Sequence, residues 1–243
     1  MREEKKVILI RVAPICLLIL IGIYFFYQKE IDLTEKVKSD SLVSTNDGEL
    51  FFFEREGKQF TIPIKSIPIF KEYLDEQSNR NAEIHRTSYD FLDFHSEGST
   101  YILLKYSCGT KLCSTLLIKL SNENISSIAL GQGSIFMKAK QSPNSNYAAF
   151  LYGQNEGNVV LRNNLVAVDL RKMKLLTVED KEVANNFIDN ATWPITDFTW
   201  ANNQMIKIQT ADILDSDYNS LLMWYESSMK TKETQIVFQN NDE

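Results

Sequence analysis

The chain opens on a long apolar run and then changes period. Val7 to Tyr27 reads Val-Ile-Leu-Ile-Arg-Val-Ala-Pro-Ile-Cys-Leu-Leu-Ile-Leu-Ile-Gly-Ile-Tyr-Phe-Phe-Tyr. A bilayer core takes about 20 mostly apolar helical residues to cross. Arg11, the one charge, lies near the start, where a long side chain reaches the interface. Tyr24, Phe25, Phe26 and Tyr27 end the run with rings that favour the headgroup boundary. Gln28-Lys29-Glu30 follows directly, with none of the small residues of a signal-peptide cleavage site. Ala13-Pro14-Ile15 before Cys16 does not form a lipoprotein box. The pattern predicts a cytoplasmic tail over 1–6 and an uncleaved transmembrane anchor over 7–27. Arg2, Lys5, Lys6 and Arg11 precede the anchor and Lys29, Lys36 and Lys38 follow it. This slight excess keeps the tail inside and puts the C-terminal domain outside the cytoplasm.

Residues 28–46 are polar and charged and read as a stalk. From 47 to 243 the apolar residues recur at every second position between turn residues, a β pattern. Leu50–Arg55 and Gln59–Ile64 form a first hairpin, opened by Asp47-Gly48. Tyr89–Phe94, Tyr101–Tyr106, Ser114–Leu120 and Ser126–Leu130 read as a four-stranded meander. Ser134–Ala139, Tyr147–Tyr152, Asn164–Leu170 and Leu175–Val178 repeat it. Ile195–Trp200, Met205–Thr210, Ser220–Tyr225 and Thr234–Phe238 give a third copy. Two stretches have helical spacing instead: Ser66–Leu74, with a capping serine and an early proline, and Glu179–Asn190, with Val183 and Phe187 four apart.

Four-stranded units repeating every 40 to 50 residues or so are the signature of propeller blades. Ser142-Pro-Asn-Ser-Asn-Tyr-Ala-Ala-Phe-Leu151, followed by Leu165-Val-Ala-Val-Asp-Leu170, resembles the hairpin of TolB-like and WD40-like blades. Asp197-Phe-Thr-Trp-Ala-Asn-Asn203 echoes it. The resemblance covers about residues 89–238. It departs from the family in its Asn-Ser turn and in the insertion from Glu179 to Pro194. Three copies are too few to close a ring. The expected fold is therefore all-β: an N-terminal transmembrane helix, then a small or incomplete β-propeller-like stack of four-stranded antiparallel sheets. A generic β-sandwich is the plain alternative.

Charge narrows the partners. The net charge is −6. Four basic and two acidic residues precede Val12, so the remainder carries −8. Nucleic-acid binding needs clustered Lys and Arg, and an acidic domain without such a cluster is not expected to bind it. Cysteine usage points to the same compartment. Cys108 and Cys113 are the two cysteines beyond the anchor, five apart across a glycine-containing turn. They suit a structural disulfide, the kind that persists in oxidising compartments. A redox pair is the alternative, although that chemistry usually uses Cys-x-x-Cys. Half a metal site is another, and it would need more than His85 and His95 nearby.

Candidate chemistry is sparse. Asp215, Asp217, Asn219 and Glu226 match the acidic positions of a calcium loop, but Ser220 replaces the turn glycine and the flanks read as strands. An exposed hairpin tip is the plainer account. His85 and His95 have Glu83, Asp90, Asp93 and Glu97 near in sequence, as a general base would; scattered surface histidines look the same. Gly131-Gln-Gly-Ser134 lacks the full nucleophile-elbow pattern. Trp193, in the insertion, is the aromatic expected to be exposed and to anchor a partner, whereas Trp200, Trp224 and Tyr225 fit core positions. No catalytic residue, cofactor or resident metal is expected. The expected function is a membrane-anchored extracytoplasmic module, held by the bilayer, that binds a protein or envelope component. The alternative is a small-ligand binder or enzyme with a central pocket lined by strand-end loops.

Overall fold

The computed structural model describes residues 43–45, 48–95, 98–121, 124–157 and 159–239, all within the unit Lys38–Glu243. The predicted tail, the predicted anchor and residues 28–42 and 46 of the predicted stalk lie outside them. Among the described residues no helix is long and apolar enough to cross a membrane.

The first layer is a three-stranded antiparallel sheet of β1 (Val43–Thr45), β2 (Gly48–Arg55) and β3 (Lys58–Pro63). β1 brings the end of the predicted stalk into the fold. The β2–β3 turn is Glu56-Gly57, with φ of 54° and 73°, the two positive values a tight hairpin requires. A 3-10 turn at Ile64–Ser66 leads into α1 (Pro68–Asp75), with Ile67 rather than Ser66 at its N-cap. In α2 (Arg80–Arg86), the Asn79 side chain accepts from the Ala82 N–H at 3.0 Å. Phe51, Phe53, Ile62, Phe70 and Leu74 are buried between these elements and the next sheet. The Phe53 ring meets Tyr89, and Phe70 meets Tyr106.

The second layer overturns the propeller expectation. β4 (Ser88–Leu92), β5 (Ser99–Tyr106), β6 (Cys113–Ser121), β7 (Ile125–Gln141), β8 (Tyr147–Glu156), β9 (Val160–Asp169) and β10 (Lys174–Leu175) form one seven-stranded antiparallel meander. Blades are separate sheets around a channel, but here the first two predicted copies share a strand. β7 pairs with β6 through its first half and with β8 through its second. The glycines between the halves do not turn the chain. They serve a bulged stretch, where the β6–β7 register shifts on both sides of Thr115. A Cβ on Gly131 would lie 2.8 Å from the Tyr152 ring, so a side chain there would collide with a buried tyrosine. Thr115 Oγ1 pins the bulge. It lies 2.7 Å from the Tyr152 hydroxyl and accepts from the Gly131 N–H at 3.1 Å.

The bulges curl the sheet. Tyr101, Leu103 and Leu117 pack on its inner face against Ala148, Phe150, Tyr152, Val168 and Leu170 from the far half. The outer face of β4–β6 carries the first layer. The outer face of β8–β9 carries a four-stranded antiparallel sheet in the order β11-β14-β13-β12. Its strands are β11 (Thr177–Val178), β12 (Ile195–Trp200), β13 (Met205–Ala211) and β14 (Thr231–Gln239). The chain passes between the sheets at Leu176, whose N–H still reaches the Ala167 carbonyl at 2.8 Å. Between β11 and β12, α3 (Lys181–Ala184) runs into a π turn at Asn185–Asp189. The predicted strand Ser220–Tyr225 is instead α4 (Tyr218–Tyr225). Asp217 caps that helix, and Leu221 and Trp224, three apart, are its buried side chains, the spacing of one helix face. The third copy thus lacks a strand, and no propeller or closed ring forms among the described residues.

Candidate functional site

The curl leaves an open mouth at one end of the seven-stranded sheet. Four separate segments meet there, and main-chain-directed hydrogen bonds hold them. The Leu170 carbonyl, just past β9, accepts from the Tyr101 hydroxyl at 3.2 Å and from Lys119 Nζ at 2.9 Å. The Leu170 N–H donates to the Asn146 carbonyl at 2.8 Å. The Gln141 side chain clamps the loop after β4: its Oε1 accepts from His95 N–H at 2.8 Å, and its Nε2 donates to the His95 and Ser145 carbonyls at 2.9 and 3.0 Å. The Ser-Pro-Asn-Ser-Asn segment is a tight turn between β7 and β8, with Ser145 at φ 60°. Ser142 Oγ donates to Asn144 Oδ1 at 2.8 Å and accepts from the Tyr147 N–H at 3.1 Å.

These segments enclose a cleft of about 650 Å³, within the range of small-ligand sites. Lys119 and Arg171 are its cations, and His95, Ser99, Tyr101, Asn144 and Asn146 are among its polar lining. No carboxylate lines it among the described residues. The Lys119 ammonium lies 5.9 Å from the Tyr101 ring centroid, a cation–π placement. Asp169, behind the cleft, turns one oxygen to the Arg171 and Lys172 N–H groups at 2.8 and 3.0 Å. Its other oxygen is 3.7 Å from the Arg171 guanidinium.

Two further clefts lie away from the mouth. One of about 540 Å³ lies beside α4, between Asp212–Asp215 and Trp224. The other, about 670 Å³, lies between the Gly109–Leu112 loop and the β8–β9 turn. Cys108 and Cys113 join in a disulfide across that loop, with Cα atoms 4.1 Å apart. The Gly109 N–H donates to the Leu112 carbonyl at 2.9 Å.

The residues singled out from the sequence fall elsewhere. Asp217 Oδ1 takes the N–H groups of Asn219 and Ser220 at 2.8 and 3.1 Å, and its Oδ2 accepts from the Ser220 hydroxyl at 2.7 Å. Its carboxylate is thus committed to capping α4. Glu226 is the C-cap of the same helix, about 13 Å from Asp217 at 1.5 Å per residue. The calcium-loop spacing is therefore the two ends of a helix. Among the described residues no group of three or more His, Cys, Asp or Glu could hold a metal ion. Trp193 is not fully exposed as expected. Its ring is half-buried between the core of the four-stranded sheet and that of α4, and its carbonyl accepts from the Asn163 N–H at 2.9 Å. His85 is exposed on α2 and His95 on the mouth loop, and no described hydrogen bond or ion pair joins them. Ser134 Oγ is buried without a hydrogen-bond partner among the described residues, so no base activates it.

Lys119, Arg171, Asn144 and Asn146 gave no signal as functional residues. The one clue was the Ser142–Asn146 turn, read as a repeat signature when it is one lip of the cleft. The chain matches no family model, no curated protein and no solved structure. What fold and cleft define is a class: a mostly β protein of antiparallel sheets with a polar cleft at the mouth of a curled meander.

Proposed function

We propose that this protein is a membrane-anchored extracytoplasmic binding module whose site is the mouth of the seven-stranded sheet. The apolar run Val7–Tyr27 supports the anchor, and the Cys108–Cys113 pair supports an oxidising compartment. The observation that carries the reading is the mouth itself. Side chains from four distant segments converge on a cleft of ligand size, and the lips are held by the Gln141 clamp rather than left as free loops. A converging polar cleft favours a small ligand, or the terminal group of an envelope component, over a broad protein face.

The test is photo-crosslinking in native membranes. A crosslinking amino acid at Asn144, on the lip, yields a defined adduct. The same group at Gln235, exposed on the outer face of the four-stranded sheet, yields none. Equal labelling from both positions, or none from Asn144, refutes the mouth as the site. Protease added outside intact cells degrades the domain, and a domain cut only after lysis refutes the placement.

A further inference from the structure

We infer that the mouth receives a phosphate group, held by Arg171, Lys119 and the amide of Asn146. This rests on the mouth being the binding site and adds the chemistry of what binds there. Among the described residues the cleft lining carries two cationic side chains and no carboxylate. Arg171 makes no hydrogen bond through its guanidinium among the described residues, and its one ion-pair partner stands off at 3.7 Å. Asp169 cannot swing into the cleft, because its side chain is 7% exposed and its other oxygen is bound by two backbone N–H groups. Lys119 spends one N–H on the Leu170 carbonyl, which leaves two and fixes the ammonium in place. The Asn146 side-chain amide and the Ser99 hydroxyl have no hydrogen bond among the described residues, while the Asn146 backbone N–H donates to Asn144 Oδ1 at 3.1 Å.

An anion is the partner that satisfies such a set. A guanidinium presents a planar fork to phosphate, and a lysine adds a point charge. A phosphate monoester offers several oxygens in different directions, which suits donors that approach from four segments. The positive site is also not a by-product of a basic surface, since the chain carries a net charge of −6. The phosphate could belong to a free small molecule or to a lipid headgroup, and both share this chemistry.

The experiment is calorimetric titration of the full chain in neutral detergent, with inorganic phosphate in one arm and soluble dihexanoyl phosphatidic acid in the other. Saturable binding with a Kd of about 1 mM or tighter is expected in at least one arm. Arg171→Gln raises that Kd at least ~10-fold, or about 1.4 kcal/mol. Lys119→Gln acts in the same direction, and Lys174→Gln, on β10 and outside the lining, leaves it unchanged. Because Lys119 also holds Leu170, Arg171→Gln decides. Binding about 10-fold tighter for the lipid assigns the headgroup, and equal or tighter binding of inorganic phosphate assigns a free ligand; either supports the inference. No saturation in either arm, or an unchanged Kd in Arg171→Gln, overturns it. If the Asn144 adduct persists while phosphate fails to bind, the binding module stands and the anion chemistry falls. If the adduct is absent as well, both fall.

Discussion

Asn163 offers the sharpest test of how the layers are joined. It is 2% exposed, yet each polar group of its side chain is used. Its Oδ1 accepts from the Ile195 N–H at 2.8 Å, where β12 begins. Its Nδ2 donates to the Tyr152 carbonyl at 3.1 Å on β8, and it also lies 3.0 Å from the Met137 sulfur, a weak acceptor. One amide therefore clasps the curled sheet to the edge of the four-stranded one. Asn163→Ala takes the acceptor from the buried Ile195 N–H, costing about 1–3 kcal/mol, and one donor from the Tyr152 carbonyl, costing about 1 kcal/mol. With partial relaxation the loss is about 2–4 kcal/mol. Asn163→Asp keeps an oxygen for Ile195 but sets a carboxylate against the Tyr152 carbonyl. Burial and that carbonyl both disfavour the charged form, so the folded pKa lies above the unfolded one. Its stabilising contribution is then present below the unfolded pKa and lost as pH rises through the folded one. The variant should thus be the less stable of the two at neutral pH and should recover on acidification, when the carboxyl can donate. Urea unfolding followed by tryptophan fluorescence measures both. Asn163→Ala within about 0.5 kcal/mol of the parent, or an Asp variant indifferent to acid, refutes the clasp.

Two other perturbations are expected to be smaller. Cys108→Ser opens a loop with a sequence separation of 5 and costs about 2 kcal/mol by loop-closure entropy; both thiols labelling freely in protein from native membranes would contradict the bond itself. Asp197 joins the sheets from the other side, with Lys138 at 2.5 Å and Lys140 at 3.2 Å. Partial burial works to raise its carboxyl pKa, but hydrogen bonds from both lysines and from the backbone at Phe198 prevail and bring it down to about 2. A depressed folded pKa adds stability above the unfolded value of about 3.9, lost as pH falls towards the folded one. Because the group is half exposed, Asp197→Asn costs less than about 1 kcal/mol at neutral pH. A gap from the parent that stays constant down to pH values near 2 refutes the pairing.

The alternating pattern made most strands legible, because side-chain period decides them before any tertiary contact does. Leu50–Arg55, Tyr101–Tyr106, Tyr147–Tyr152 and Met205–Thr210 fall within β2, β5, β8 and β13. Two local signals misled. Gly131 and Gly133 look like a turn in sequence, but Gly131 is required by the Tyr152 ring and Gly133 by its φ of 53°. Nothing local reveals that a distant tyrosine needs the space. Leu221–Tyr225 is a short apolar run, which periodicity alone cannot assign to strand or helix. The capping geometry at Asp217 and the burial of Trp224 decide it. Losing one turn and one strand is enough to turn three apparent blades into a single curled meander with a sheet packed on its back.

The mouth was illegible for a different reason. Lys119, Asn146 and Arg171 are ordinary polar residues near strand ends, the commonest place for them, and Asn146 alone belongs to a local motif, one that resembles a repeat turn and not a binding site. They meet because the curl carries the end of β9 back over β5 and β6, so that Leu170 hydrogen-bonds to Tyr101 and Lys119 across the inner face. The same bulges that erase the blade boundary therefore create the cleft. This links the stability and function of the chain in a specific way. The Thr115–Tyr152–Gly131 contacts set the bend and involve none of the residues that line the mouth. A change that straightens β7 should therefore part the lips and weaken binding without altering a single lining side chain. Arg171→Gln should do the reverse, weakening binding while the fold keeps its stability.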